Sequence, residues 1–465
     1  MRRSHVKKKA DGYNKIENIN ERNFNGLGNL ELLELGHNQL QILNNDTFRQ
    51  LSSLYHLRLS KYENEQIMRT TLHLDHNQLD KLDFDIFAPL SSLQYLNLVQ
   101  NNIKRIDGNV SQKLEKLKEL NLNYNQLDKL DNEVFAPLSS LTRIDLMHNN
   151  IKQIDKSAFN GLRKLEILIL DHNQLQKLDN ELFATLPSLQ NLMIANNTIK
   201  EIDANVFKGL SSLSKLYLNS NQIEKLENDL FAPLSSLSHL RLTKNSIKQI
   251  EENTFNGLGK LTTLDLDHNQ LDKIERHVFS PLSSLSSLSL ANNKINQFDE
   301  NAFNGLNELE VLDLNHNKLE RLDYTLLEPL SSLRELTLRK INKKKKNNSI
   351  KFIDELIFTE AELFIPDLRM VDLSSNSCIN KNIPMNNIEI KKALSIVRRK
   401  CQHKEDLKKD QVKECQCNRD EFKEEMRQQF TEIKDIKQQL LKFENEIKSQ
   451  YSDIKTKLNE LTGTH

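Results

Sequence analysis

The sequence predicts an α/β protein, in which a solenoid with a parallel β-sheet on its concave face is followed by a C-terminal α-helical coiled coil. Three observations predict this fold. An Asn recurs at a constant interval through the middle of the chain, short segments of alternating apolar residues precede each Asn, and the last residues show a heptad apolar period. A fixed period of about 20 to 50 residues is typical of stacked repeat units.

Each repeat follows L-x-x-L-x-L-x-x-N-x-(L/I), and each position has a physical role. The alternating apolar residues of a short strand point inward, while the residues between them point outward. The Asn that follows the strand is expected to bond to backbone groups without a sheet partner, so successive Asn residues form a ladder. A later Phe, such as Phe135, fills the back of the coil. Stacking then supplies a core that no single coil has. The ladder residues at one strict spacing are Asn77, Asn101, Asn125, Asn149, Asn173, Asn197, Asn221, Asn245, Asn269, Asn293 and Asn317.

This pattern is typical of leucine-rich repeats, which form a horseshoe-shaped solenoid, and it sets the predicted domain boundaries. The series begins in the middle of a coil, and no apolar segment follows the basic N-terminus as it would in a secretory signal. We therefore expect a truncated start. The predicted parts are a basic tail at 1–13, a solenoid of about 15–16 coils at 14–378, a cysteine-bearing cap at 379–401, a linker with a C-x-C pair at 402–417 and a coiled coil at 418–465.

Composition and charge exclude several function classes. The chain has 65 basic and 65 acidic side chains and a formal net charge of zero, which argues against a general nucleic-acid binder. It contains no run of about 18 apolar residues that would predict a membrane-spanning helix. No motif pairs a nucleophile with a base, and none forms a phosphate-binding Gly loop. We expect a protein that is not an enzyme and needs no cofactor.

The phrase Asp-His-Asn occurs three times and raises the question of a metal site. Asp75, Asp171 and Asp267 each stand two positions before a ladder Asn, with a His between, on what is expected to be the outward concave face. The tightest set of ligands would be His148 with Asp171 and His172, because two imidazoles and a carboxylate can bind zinc. Exposed His and Asp residues are far commoner on a recognition surface, so we expect no metal site.

The same outward positions carry aromatic and basic residues, which predict a protein-binding surface. Tyr and Arg are favoured at the energetic centres of protein interfaces. The alternative is that partner contacts lie in the C-terminal modules. The candidates for the concave surface are Tyr95, Tyr124, Arg143, Tyr217, His239 and Arg241.

All four cysteines lie in the C-terminal part of the chain. Cys378 takes an inward position in the last coil and Cys401 ends a helix-like segment, so a disulfide between them would close the open core in an exported protein. Cys415 and Cys417 are separated by one residue and rarely bridge each other, because the loop is strained. The apolar series beyond them predicts about six heptads with an imperfect d seam. A single amphipathic helix that folds back on the solenoid is the alternative.

Leucine-rich repeats, a cysteine-bearing cap, a C-x-C pair and a terminal coiled coil, in this order, resemble the mosquito leucine-rich-repeat immune proteins. The resemblance covers the chain from about residue 14 to the end. It implies a secreted innate-immune protein that forms a disulfide-linked dimer through Cys415 and Cys417 and holds a complement-like thioester protein against pathogens. The chain departs from this family in that it carries no signal peptide.

The polar residues of the d seam bear on the choice of dimer partner. A homodimer would place Lys457 against its own copy, so the sequence favours a heterodimer with a related leucine-rich-repeat protein, with the homodimer as the alternative. Two other interpretations of the whole chain remain open. One is a fragment of a Toll-like receptor ectodomain, and the other is an intracellular leucine-rich-repeat scaffold with free thiols.

Overall fold

The computed structural model describes residues 15–26, 35–51, 71–107, 114–339, 350–359, 365–376 and 378–401. Residues up to Cys401 belong to one compact unit. The predicted basic tail, the linker with Cys415 and Cys417, and the predicted coiled coil at 418–465 lie outside the described residues.

A single long sheet is built from the L-x-L segments of successive coils. Each strand is three residues long, with a buried apolar residue between two outward ones, and pairs in parallel with the next, as Leu96 does with Leu120. Only the last strand of this 14-stranded sheet, Asn382–Pro384, is antiparallel to its neighbour within the part of the chain described. The other strands are Thr71–His73, Tyr95–Asn97, Glu119–Asn121, Arg143–Asp145, Ile167–Ile169, Asn191–Met193, Lys215–Tyr217, His239–Arg241, Thr263–Asp265, Ser287–Ser289, Val311–Asp313, Glu335–Thr337 and Met370–Asp372.

Further short elements follow most of these strands where the chain returns along the coil, but within the described ranges none follows Lys215–Tyr217 or His239–Arg241. Five two-stranded parallel sheets form in the described residues: Lys81–Asp83 with Arg105–Asp107, Lys129–Leu130 with Gln153–Ile154, Lys177–Leu178 with Glu201–Ile202, Lys273–Ile274 with Gln297–Phe298, and Arg321–Leu322 with Phe352–Ile353. We call these the short pairs. The helical segments are the 3₁₀ turns Glu21–Phe24, Arg49–Leu51, Phe84–Phe87 and Tyr324–Leu326, and the α-helices α1 (Leu356–Thr359) and α2 (Asn387–Lys400).

The core is one continuous column of Leu, Ile and Phe side chains. Phe159 is fully buried and stacks between neighbours, with 6.2 Å from its ring centroid to that of Phe135 and 6.2 Å to that of Phe183. The same stacking recurs from Phe207 to Phe303. Each coil therefore buries its aromatic ring against the coils on either side, as expected of a solenoid in which stacking supplies the core.

The Asn ladder lies beneath the turn that follows each strand. Asn173 is 7% exposed. Its Nδ2 donates to the carbonyl oxygens of Leu146 and Leu170, both at 3.0 Å, and its Oδ1 accepts from the backbone N–H of Ile151 at 3.0 Å. The amide thus satisfies backbone groups of its own coil and the preceding coil, which no strand partner reaches.

Coils that contain F-A-P-L or a similar segment alternate with coils that contain F-N-G-L or a similar segment. Packing between neighbouring coils explains this alternation. Gly257 has a φ of +82°, and a Cβ added to it would lie 2.6 Å from the carbonyl oxygen of Ala232 in the preceding coil. Gly161, Gly209 and Gly305 repeat this arrangement. A Gly turn therefore packs closely against the Ala or Ser of the coil before it, and the left-handed backbone there favours Gly.

The first irregular spacing lies between two residues that are neighbours on the Asn ladder. In the sequence, the interval from Asn38 to Asn77 is longer than one coil and shorter than two. In the structure these two Asn residues are neighbours on the ladder, because the N–H of Leu40 donates to Asn77 Oδ1 at 3.1 Å and the N–H of His37 donates to the carbonyl of Asp75 at 2.9 Å.

A helix and a cysteine pair cover the last coil. The Asn386 side chain caps α2 by accepting from the N–H of Glu389 at 3.0 Å, and Val397 of the helix is fully buried. Cys378 and Cys401 are paired, with their Cα atoms 5.1 Å apart, which is in the usual range for disulfides. The helix is thereby held over the apolar end of the solenoid.

Candidate recognition surface

The outward side chains of the long sheet form two rows, six and four positions before each ladder Asn. The strands end four positions before the Asn. This differs from the expectation that the residues two and one positions before the Asn also lie on the outward face of the sheet. The residue immediately before the Asn is left-handed, as at His76, His148 and His172, with φ of 54°, 51° and 54°. These histidines therefore lie in the turn beyond the strand.

The structure brings three of the six predicted binding residues together. Tyr217 and Arg241 are neighbours in the row four positions before the Asn, and the Arg241 guanidinium lies over the Tyr217 ring at 4.7 Å from its centroid. Arg241 Nε also contacts Asp265 Oδ2 at 3.2 Å in the next strand. His239 begins the same strand as Arg241. A cation held between an aromatic ring and a carboxylate is a fixed, half-exposed contact point.

The surroundings of His239 disfavour the protonated form of its imidazole. Burial lowers the pKa of His239, and the neighbouring Lys215 and Arg241 lower it further. Burial raises the pKa of Asp265 despite the attraction of Arg241. The shift at His239 therefore favours its neutral imidazole.

The other three predicted residues are separated from this group. Tyr95 contacts the His73 ring edge to face, with centroids 5.5 Å apart. Tyr124 is 51% exposed and stacks on His148 at 4.2 Å, in the turn beyond the strand. Arg143 Nη2 lies 3.3 Å from the buried Asp145 carboxylate. They offer separate contact points along the sheet.

An apolar segment of the sheet face was missed by sequence reasoning. Ile169 and Met193 precede Tyr217 in the same row, and Ile167 lies beside them in the neighbouring row. Ile167 and Met193 are half-buried although their side chains are on the outward side, whereas Ile169 is buried, with 7% of its surface exposed. The signal was present in "LEILILDHN", where Ile occupies both outward positions of the strand. We call Ile167, Met193, Tyr217 and Arg241 the recognition patch.

The three Asp-His-Asn phrases have different surroundings. His148 and His172 stack at 4.1 Å, but Asp171 Oδ1 turns to accept from the N–H of Ala195 at 2.6 Å. Burial raises the pKa of Asp171. Within the described residues, the one group of three possible metal ligands with donor atoms within 4.8 Å of one another is instead His37, Asp75 and His76.

Among the described residues, no helix is sufficiently long and apolar to cross a lipid bilayer.

Solved structures with the same fold include receptors and bacterial proteins. A TLR13 complex with single-stranded RNA is 26% identical over 74% of this chain, with a TM-score of 0.55, and the chain spans 54% of that structure's chain. A leucine-rich-repeat protein of Leptospira interrogans is 26% identical over 78% of this chain and 93% of its own, with a TM-score of 0.56. The Toll–Spätzle complex of Drosophila is 18% identical over 80% of this chain and 62% of that one, with a TM-score of 0.53, a likeness that concerns the fold alone.

No curated protein has a sequence that matches this chain significantly. The family model "Leucine rich repeat" matches residues 12–61, 70–127, 101–151, 115–175, 139–192, 187–247, 235–295 and 283–343. These segments cover more than half of the chain and confirm the predicted solenoid with its parallel sheet. The chain therefore belongs to the leucine-rich repeat family.

Proposed function

We propose that this protein is a non-enzymatic recognition scaffold that binds a protein partner on the exposed face of its long sheet, at the recognition patch. The observation that carries the proposal is that two apolar side chains, an aromatic ring and a guanidinium lie on the outward side of four consecutive strands, at Ile167, Met193, Tyr217 and Arg241. At about 4.8 Å between strands, these four side chains span about 14 Å, a suitable length for a cluster of interface hot spots.

The chemistry of the patch defines the partner. Apolar and aromatic side chains at the centre of an interface exclude water, and Arg adds a directional contact for a carboxylate. Lys215 flanks the patch on the neighbouring row. A protein segment with an apolar anchor next to acidic residues therefore suits it. The formal net charge of zero supports a protein rather than a nucleic acid as the ligand.

By resemblance, the partner is a complement-like thioester protein and the setting is innate immunity outside the cell. The pairing of Cys378 with Cys401 also supports export, because disulfides persist mainly in oxidising compartments. A Toll-like receptor ectodomain and an intracellular scaffold are the alternatives.

The binding test compares two matched pairs of substitutions. Tyr217→Ala with Arg241→Ala removes the contact in the patch, whereas Arg321→Ala with Phe352→Ala removes a similar pair, at 4.0 Å, on the short pairs. Surface plasmon resonance against a complement-like thioester protein should show a loss of about 30-fold or more for the first variant, as for a hot spot of about 2 kcal/mol, and little for the second. Equal binding by wild type and the first variant rejects the patch. No binding by wild type rejects this partner.

We further propose that Cys415 and Cys417 link the chain to a related leucine-rich-repeat protein and that residues 418–465 form a coiled coil with that partner. Co-expression of the two chains, followed by non-reducing electrophoresis, tests the heterodimer. Wild type should run as a covalent pair, and the variant with Cys415→Ser and Cys417→Ser should run as separate chains. A covalent pair formed by this chain alone would favour the homodimer, and separate chains in every lane would exclude the disulfide.

A further inference from the structure

His37, Asp75 and His76 meet at the edge of the long sheet where two coils join. Asp75 Oδ2 lies 3.0 Å from His76 Nδ1 and 3.8 Å from His37 Nε2. The two imidazole rings stack, with centroids 4.1 Å apart and an angle of 20° between their planes. Two ligand atoms on one tetrahedral zinc ion lie about 3.3 Å apart when each is about 2.0 Å from the metal. Both separations from the carboxylate oxygen are therefore close to those of a metal site.

Gly36 explains why the first Asp-His-Asn phrase gathers these ligands and the second does not. Gly36 stands two positions before its ladder Asn, and an added Cβ would be 3.2 Å from both carboxylate oxygens of Asp75. The Asp75 side chain thus occupies the space that a side chain at position 36 would fill. The position equivalent to Gly36 is Met147 before Asp171 and Thr243 before Asp267.

In those two later phrases the carboxylate turns toward the following coil. Asp171 accepts from the N–H of Ala195, and Asp267 accepts from the hydroxyl of Ser289. Asp171 therefore does not join His148 of the preceding turn, and before Asp267 the preceding turn carries Lys244 in place of a histidine. The surroundings of an Asp-His-Asn phrase therefore depend on the residues of the coil before it.

A second layer of contacts orients the Asp75 carboxylate. Asn97 Nδ2 donates to Asp75 Oδ1 at 3.1 Å and to His73 Nδ1 at 3.0 Å. Oδ1 is thus held by Asn97, and Oδ2 is directed toward His37 and His76. Hydrogen-bonded carboxylate ligands of this kind are usual in metal sites, because the outer contact fixes the ligand before the metal arrives.

We propose that His37, Asp75 and His76 form a binding site for a divalent transition-metal ion, with Zn²⁺ as the preferred occupant. Two imidazole nitrogens and one carboxylate oxygen suit Zn²⁺, whereas Ca²⁺ and Mg²⁺ need sets made of oxygen ligands. Three protein ligands leave a position for water or for a donor atom of a partner. All three residues are half-buried, which gives the ion access from solvent.

Metal binding would join the coil of Asn38 to the coil of Asn77. His37 belongs to the first and Asp75 and His76 to the second, and the chain between these coils is longer than that between regular coils. A metal ion across this junction would hold the first coils in register at the long connection between them. Binding to the folded state alone stabilises that state in proportion to the logarithm of the ligand concentration once the site is nearly saturated.

Isothermal titration with Zn²⁺, and visible absorption with Co²⁺, test the site in the full chain. Asp75→Asn with His76→Asn should abolish the tightest site, and Asn is suitable at position 76 because it tolerates a left-handed backbone. The matched control, Asp171→Asn with His172→Asn, changes the same phrase and should bind Zn²⁺ as wild type does. Circular dichroism checks that both variants are folded.

Two further variants separate a metal site from a change in folding. Asn97→Ala should weaken Zn²⁺ binding about 10- to 100-fold, as expected for a contact that supports a ligand. Gly36→Ala should weaken it by displacing the Asp75 carboxylate while all three ligands remain. The proposal is overturned if wild type gives no Co²⁺ spectrum, if Gly36→Ala and the Asp75, His76 variant bind as tightly as wild type, or if the Asp171, His172 control loses as much.

Discussion

Replacing one ladder residue, Asn173→Ala, provides a sensitive test of how the backbone of the solenoid is satisfied. The carbonyl oxygens that accept from Asn173 also accept from its neighbours: Asn149 donates to the Leu146 oxygen at 3.0 Å, and Asn197 donates to the Leu170 oxygen at 3.0 Å. They keep a partner after the substitution. The N–H of Ile151, a fully buried residue, donates to Asn173 Oδ1 and would lose its partner.

The expected magnitude follows from this count of groups. One buried N–H left without an acceptor costs about 1–3 kcal/mol, and the truncated side chain leaves a small additional space. We therefore expect Asn173→Ala to lower the free energy of unfolding by about 1–3 kcal/mol. If every bond of the amide were lost without compensation, the cost would exceed this range.

Urea denaturation, followed by circular dichroism, measures the loss, and hydrogen exchange at the Ile151 amide reports it locally. Asn150→Ala is the matched control, because Asn150, which precedes Ile151 in the sequence, is exposed and should change stability by no more than about 0.5 kcal/mol. A change for Asn173→Ala as small as that of the control would refute the reasoning, as would unchanged exchange at Ile151.

Three further predictions concern the Gly turns, His148 and the C-terminal cap. Gly257→Ala should cost about 1–3 kcal/mol in urea denaturation because of its left-handed backbone and the close carbonyl, whereas Gly259→Ala, whose Cβ would be 4.0 Å from its nearest contact, should cost little. Burial and a neighbouring histidine lower the pKa of His148, so folding favours its neutral form. The stability of the protein should therefore be fully present above about pH 6.5 and fall as the pH drops through the folded pKa of His148. His148→Asn should reduce this pH dependence of the urea midpoint. A midpoint independent of pH in wild type would contradict it. Replacing Cys378 and Cys401 by Ser should lower stability by about 2–4 kcal/mol in thermal unfolding, and a reductant should affect only wild type; an unchanged melting temperature would show that the pair does not close the cap.

The register of the solenoid was predictable because one spacing separates successive ladder residues without interruption. An Asn that must satisfy backbone groups in two coils allows no drift, so the sequence positions and the ladder agree, as at Asn173. The interval between Asn38 and Asn77 was not predictable in the same way. Its length fits neither one coil nor two, and the hydrogen bond from Leu40 to Asn77 is a contact that spacing alone does not specify.

The surface was predictable only in part, because outward positions depend on neighbours in other coils. Tyr217 and Arg241 were identified by residue type, but their contact arises from the parallel register of two strands. Ile167 and Met193 were missed because the candidates were chosen by residue type, which favoured Tyr and Arg over aliphatic residues. The metal-like group was missed because His37 and Asp75 are distant in sequence and meet through a Gly that carries no chemistry of its own.

The Gly turns that pack against the preceding coil also affect how such a chain changes length during evolution. Gly161, Gly209, Gly257 and Gly305 recur in every second coil, each packed against the Ala or Ser of the coil before it. Duplication or loss of one coil would bring two turns of the same kind together, whereas a step of two coils restores the alternation at the new junction. Growth by such a unit lengthens the exposed sheet by two strands, about 10 Å, and leaves the packing of the back unchanged. New combinations of outward residues thus arise on a scaffold that does not have to be repacked.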